Sequence, residues 1–191
     1  MVRSPRLFVL VGVLALVLAG FFGYLTYRDA GPSPSAAEPA QAAAKIHTDR
    51  FVSRAGGFSV QVPEGLRVTR QAQAVKLVSA DKDLVVVVGP GEKGKLGPAS
   101  DRFLDTMRER YQHLTLLGTK PERVDGRRAL TSYGRATNAN DVQIRFVVVV
   151  VRAQPRNYTI AAYTAFGSDP ATVLPRVNAV LNGFRVRSPN R

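Results

Sequence analysis

The segment VQIRFVVVVVRAQ, Val142 to Gln154, holds five consecutive valines, Val147 to Val151, between Arg145 and Arg152. Whether this run lies in lipid, on an exposed edge or in a core decides how the rest of the chain is read. Its apolar stretch, Phe146 to Val151, covers about 20 Å fully extended and about 9 Å as a helix, too short for a hydrocarbon layer roughly 30 Å thick. Valine also favours a strand over a helix. Alternation puts Val142, Ile144, Phe146, Val148 and Val150 on one face. The other face starts polar, at Gln143 and Arg145, and turns apolar at Val147, Val149 and Val151. The pattern predicts a central strand, half covered at its start and covered on both faces later, with its second half under a helix.

Neighbouring segments supply partners for such a strand. In GGFSVQVPEGLRV, Phe58, Val60 and Val62 alternate with Ser59 and Gln61, Pro63 ends the run and Glu64-Gly65 turns it. AVKLVSA and DLVVVVG form a hairpin across the polar turn Asp81 to Asp83. HLTLLGTKPERV and RRALTSYGRATN meet at Asp125-Gly126, a two-residue hairpin signal. A turn at Asn138 to Asp141 leads into the valine strand, and NYTIAAYTAF follows Gln154-Pro155. SDRFLDTMRERYQ reads as a helix capped by Ser100, with Asp101 in its first turn and a stripe of Phe103, Leu104, Met107 and Tyr111. A last helix covers Pro175 to Leu181, or opens earlier at Asp169-Pro170 with Pro175 as a kink; Gly183 suits its end, and GFRV closes the domain. The order is strands, helix, a long antiparallel meander and a helix. It predicts one α+β domain over residues 46–191, an antiparallel β-sheet with helices packed on it.

The N-terminal part reads differently. Residues 1–6 carry Arg3 and Arg6, and residues 7–27 form a transmembrane anchor whose core, Leu7 to Leu25, has no charge over 19 residues. As a helix that core is about 28 Å long, close to a bilayer's hydrocarbon thickness. The basic flank places the N-terminus in the cytoplasm and the chain after Tyr27 outside the cell membrane. A cleaved signal peptide would have a shorter apolar region and small residues before the cut. Here Phe21, Phe22, Tyr24 and Tyr27 occupy that stretch, so the reading is a retained anchor. Ala15, Ala19 and Gly23, four apart, could let two anchors approach closely as an anchor-mediated dimer. Residues 28–45 are a Pro/Ala-rich linker with no aromatic or branched aliphatic residue from Asp29 to Lys45, too poor in apolar surface to fold. At roughly 3 Å per residue it holds the domain up to about 50 Å from the bilayer.

The stretch GFSVQVPEGLRV, then VDGRRALTSYG, the long strand after Asn140, YTIAAYTAF and a closing helix ending in GFRV resemble the PsbP-like fold family over roughly Phe51 to Val186. Leu66 stands where that family usually carries tryptophan after its proline turn. The resemblance implies an antiparallel α+β domain and an accessory or binding role rather than catalysis. Its motifs mark turns and core positions, so it carries over no functional residue.

Composition narrows the chemistry further. The chain has no cysteine, which excludes disulfides, thiolate metal sites and cysteine nucleophiles. Its two histidines, His47 and His113, lie in different segments without metal-like spacing, and no G-x-S-x-G elbow occurs. Asp81 and Asp83 fall in a turn and read as solvated. GPGEKGKL, Gly89 to Leu96, imitates a phosphate-binding loop, but Leu96 replaces the magnesium-binding hydroxyl and Gly97-Pro98 is expected to interrupt a helix. It reads as a mobile loop whose Lys93 and Lys95 could touch an anionic partner. No enzymatic role, catalytic residue, cofactor or metal is expected. The net charge is +13, from 27 basic and 14 acidic residues, and +11 of it belongs to residues 46–191. Such a surface favours anionic partners. Arg123, Arg127 and Arg128 flank the Asp125-Gly126 tip and, with Lys93 and Lys95, are the candidate contacts. The sequence has no nucleic-acid motif, nor a basic stripe interleaved with exposed aromatics. The function expected is a membrane-anchored, non-catalytic extracytoplasmic binding or assembly factor, whose partner is another membrane or envelope protein or an anionic surface. A polyanion-binding module, for envelope polymer or DNA, is the alternative, and an envelope hydrolase the second.

Overall fold

The computed structural model describes residues 49–187. The anchor, the linker, the Ala15/Ala19/Gly23 face and His47 lie outside the described residues, and among those described no helix is long and apolar enough to cross a membrane. Ten strands and two helices follow in order: β1 (Asp49–Ser53), β2 (Phe58–Val62), β3 (Leu66–Gln71), β4 (Ala74–Ser79), β5 (Leu84–Pro90), α1 (Leu96–Arg108), β6 (Gln112–Val124), β7 (Arg127–Thr137), β8 (Gln143–Val151), β9 (Tyr158–Ala165), α2 (Pro170–Gly183) and β10 (Arg185–Val186).

The strands form two sheets where the sequence suggested one. Seven make an antiparallel sheet in the order β3-β4-β5-β9-β8-β7-β6, and three make a small sheet in the order β1-β2-β10. β2 and β3 part company at the turn after Pro63, where Gly65 adopts φ +80°. The tight turns have the chemistry their geometry needs: Asp125 and Gly126 both take positive φ, as a two-residue turn between right-twisted strands requires.

β8 lies between β7 and β9, with Val149 paired to Thr131 and to Ile160. Ile144, Phe146, Val148 and Val150 on one face are buried. This is the face that α1 covers. Ser100 of α1 lies 3.4 Å from Ser132, the neighbour of Val148, and Tyr111 stacks on Tyr163, the neighbour of Phe146. On the other face Gln143 is exposed and Arg145 half-buried, while Val149 and Val151 are fully buried. The cover over these last two is the small sheet together with α2: Phe58, Val60, Val177, Val180 and Phe184 join Val149, Val151 and Ile160 in one cluster. The valine run is thus buried on both faces in its second half, by a helix on one side and a sheet-plus-helix layer on the other. Leu66, in the position of the family's tryptophan, is buried in the same core.

The first helix starts before its expected position, and the second takes the earlier of its two expected starts. α1 begins at Leu96 and its N-cap is Lys95, not Ser100. Gly97-Pro98 does not interrupt it, because a first-turn N–H has no helical acceptor and proline there forfeits nothing. Ser100 is buried against Ser132 instead of capping, and Asp101 lies beyond the first turn. Leu104, Met107 and Tyr111 of the expected stripe are buried, and Phe103 is half-buried. α2 opens at Pro170, where Asp169 accepts a hydrogen bond from the Ala171 N–H at 3.0 Å, and Pro175 lies inside it.

Candidate functional site

Two elements converge beside the tip of the β6–β7 hairpin. The two-residue turn fixes a register in which Arg123 faces Arg128 directly and Val124 faces Arg127. Arg123 and Arg128 therefore share the face on which α1 packs, and Arg127 projects from the opposite one. A groove of about 510 Å³ runs between this hairpin and the first turn of α1, lined by Leu96, Gly97, Pro121, Glu122, Arg123, Arg128, Ala129 and Leu130. Its floor is apolar and its cations stand at the hairpin side.

Charge in the groove is unbalanced. Like charges directly opposite on a sheet repel. Arg123 donates to the Gly126 carbonyl at 3.0 Å, and neither it nor Arg128 has a carboxylate within ion-pair distance among the described residues. No side chain caps α1 and its first turn holds no acid, so the positive end of the helix dipole adds to the same field. Glu122, the acid in the lining, is engaged by the Thr131 hydroxyl. A carboxylate or phosphate in this groove would meet two arginine side chains and the start of a helix.

The loop leading into α1 is held in place rather than mobile. Gly91 N–H donates to the Asn157 carbonyl at 2.8 Å, Asn157 N–H to the Glu92 carbonyl at 3.1 Å, and the Asn157 side-chain amide to the Gly94 carbonyl at 3.1 Å. Arg102 of α1 pairs with Glu92. Lys93 and Lys95 are exposed on this loop, directly before the helix. Sequence reasoning did not single out Asn157; nothing in NYTIAAYTAF distinguishes its role from that of any turn asparagine.

The five candidate residues thus divide. Arg123 and Arg128 line the groove, and Lys93 and Lys95 stand on the fixed loop at the start of α1. Arg127 is elsewhere: its Nε lies 3.7 Å from Asp125, whose other oxygen is 3.6 Å from Arg185 Nε. Asp125 also accepts the Val186 N–H at 2.9 Å, which ties the hairpin tip to β10. None of the groups whose pKa is displaced lines the groove. Burial pushes the Tyr111, Tyr158 and Tyr163 hydroxyls up and pulls Lys76 down, and the Ser79 hydroxyl donating to Asp81 holds that carboxyl low. Among the described residues no three His, Cys, Asp or Glu side chains gather as metal ligands would. β5, which precedes the loop, pairs antiparallel with both β4 and β9, so the stretch resembling a phosphate-binding loop does not sit in a parallel βαβ unit.

The chain matches no protein-family model and no curated protein. Solved structures do resemble it. Cyanobacterial PsbP (CyanoP) from Synechocystis sp. PCC 6803 is 17% identical, with a TM-score of 0.57 over 78% of this chain and 98% of that one. The Ran-binding protein Mog1p from Saccharomyces cerevisiae is 12% identical, with a TM-score of 0.54 over 74% of this chain and 96% of that one. A Pseudomonas aeruginosa protein of unknown function is 13% identical, with a TM-score of 0.51 over 75% and 99%. The fold is PsbP-like, as the sequence resemblance implied. At such identities the likeness establishes architecture and carries no site residue across.

Proposed function

We propose that this chain is a membrane-anchored, non-catalytic extracytoplasmic binding or assembly factor that presents its basic PsbP-like domain to an anionic partner. The observation that carries the reading is the opposed Arg123–Arg128 pair in the groove beside the uncapped start of α1. Two arginines at directly opposed strand positions without a carboxylate repel, and a bound anion would offset that repulsion. A fixed loop bearing Lys93 and Lys95 widens the same field. The anchor rests on the sequence: 19 uncharged residues from Leu7 to Leu25 behind two arginines. Tethering through a short spacer raises the domain's effective concentration at membrane partners. That one structural neighbour is a Ran-binding protein accords with a binding use of this scaffold.

The test is crosslinking of the full chain in its own membranes, followed by purification and identification of what is attached. Wild-type chain should retain a defined envelope partner, and Arg123→Glu with Arg128→Glu should lose it. Retention unchanged by the double reversal would sink the groove as the contact. Location is read separately. The natural chain lacks cysteine, so Ala139→Cys, in an exposed turn, provides a single thiol. A membrane-impermeant maleimide should label it in intact cells; labelling only after lysis would contradict the topology. The same basic groove also supports the polyanion-binding reading, which predicts that the defined protein partner is absent and that heparin or DNA retains the chain in a salt-sensitive manner.

A further inference from the structure

The opposite face of the large sheet carries a second opposed arginine pair. β7 and β8 pair so that Arg135 faces Arg145, on the side away from α1. The small sheet and α2 cover the far end of this face, over Val149 and Val151, but leave its β7–β8 corner open. There Arg135 is exposed, Arg145 and Val147 are half-buried, Tyr133 is 40% exposed and Phe166 is 36% exposed. The Phe166 backbone is tied to the start of β8, its N–H donating to the Gln143 carbonyl at 3.1 Å. Arg135 Cζ lies 5.4 Å from the centre of that ring and Arg145 Cζ lies 4.8 Å from it. Neither guanidinium has a carboxylate within ion-pair distance among the described residues. Tyr133 sits one pair further along, opposite Gly118, where the absence of a side chain leaves room for the phenol.

From this geometry we infer that the Tyr133–Arg135–Arg145–Phe166 corner is a docking surface for an acidic protein segment, separate from the Arg123–Arg128 groove. Ring contact orients a guanidinium and leaves its N–H edge free for a bidentate bond to a carboxylate. Because both Cζ atoms share one ring, they stand within about 10 Å of each other, the sum of the two distances. Two acids at alternate positions of an extended segment are about 7 Å apart, and two acids one helical turn apart are about 6 Å apart, so either spacing lies inside that limit. Half-sunk Tyr133 and Phe166 offer flat apolar sides to the residues between those acids. Two part-exposed rings offer little apolar area, on which the strength of bilayer binding depends, and this disfavours a lipid surface. Phe166 already carries two guanidinium groups, so it does not offer the free stacking platform that unpaired bases require.

The test places p-benzoylphenylalanine at position 133 of the full chain, crosslinks it in native membranes and maps the adduct by mass spectrometry. The expected adduct is a protein segment with at least two Asp or Glu residues within four positions of the crosslinked site. Its yield should fall at least tenfold with Arg135→Glu plus Arg145→Glu and with the milder Arg135→Gln plus Arg145→Gln, both checked for native circular dichroism. It should not change with Arg123→Glu plus Arg128→Glu. A lipid or nucleic-acid adduct, a segment without such acids, no adduct, or a yield indifferent to the Arg135/Arg145 variants would overturn the inference. Loss through Arg123 and Arg128 alone would overturn it too and leave the groove reading standing.

Discussion

Replacing Val149 with alanine tests how the valine run is packed. Val149 is fully buried in the cluster that joins β8 to β2 and α2, whereas Val147, two residues earlier on the same face, is only partly buried at the edge of that cluster. Removing two buried methyl groups loses about 1.6 kcal/mol at roughly 0.8 kcal/mol each. A partly relaxed cavity of about 40 Å³ adds about 1 kcal/mol at roughly 24 cal/mol per Å³. Val149→Ala should therefore cost about 2–3 kcal/mol, and Val147→Ala about 1 kcal/mol or less, since solvent already reaches part of its side chain. For a domain of this size the larger loss corresponds to a fall in Tm of roughly 5–10 °C. Urea unfolding of the full chain, followed by far-ultraviolet circular dichroism with unchanged slope, measures both. Equal costs, or a larger cost at Val147, would refute the assignment of cover along this face.

Three further outcomes are expected. A methyl on Gly134 would overlap the Thr115 carbonyl oxygen and stand 2.7 Å from Phe146 Cζ, so Gly134→Ala should lower stability by about 2–4 kcal/mol in a thermal melt; a neutral result would contradict the close approach of β6 to β7. Asp125 combines a φ of +53° with acceptance of the Val186 N–H, so Asp125→Ala should cost about 1–2 kcal/mol in urea. Asp125→Asn keeps both the acceptor and tolerance of that backbone, and should cost less than half as much. The Ser79 hydroxyl, and after it the Asp83 N–H, hold Asp81 below the usual carboxylate range. A carboxyl whose pKa is lower folded than unfolded stabilises the fold above its unfolded pKa, and this contribution is lost as pH falls through the folded value. Asp81→Asn should therefore flatten the decline of stability below about pH 4, and an unaltered acid limb would argue against the Ser79 bond.

Much of this architecture could be read from local pattern, because hairpins and period-2 strands are local facts. The Asp125-Gly126 turn and the two-faced burial of Val149 and Val151 both follow from short-range rules. What escaped depends on contacts distant in sequence. Nothing around Pro63 says that β2 and β3 belong to different sheets; the pairing of β2 with β10, about 125 residues later, decides it. Ser100 has the chemistry of a cap, yet its environment is set by Ser132 on β7. The division of the candidate arginines was within reach, since a two-residue turn pairs Arg123 with Arg128 and sends Arg127 to the other side. The Arg135–Arg145 pair was not, because its register passes through a longer turn and Phe166 arrives from beyond β9.

The groove is tested most directly by two variants of the full chain with equal net charge. Arg123→Glu with Arg128→Glu reverses the groove, and Arg67→Glu with Arg70→Glu reverses two exposed arginines on the edge strand β3, each pair lowering the net charge from +13 to +9. Affinity for the partner recovered by crosslinking should fall about tenfold or more for the first pair, since each lost charge-assisted contact is worth about 1.5 kcal/mol or more. It should stay within about twofold for the second, whose screened charges act only through the general field. Equal losses for the two pairs would mean that the partner responds to the total charge, and would contradict a site built from Arg123 and Arg128.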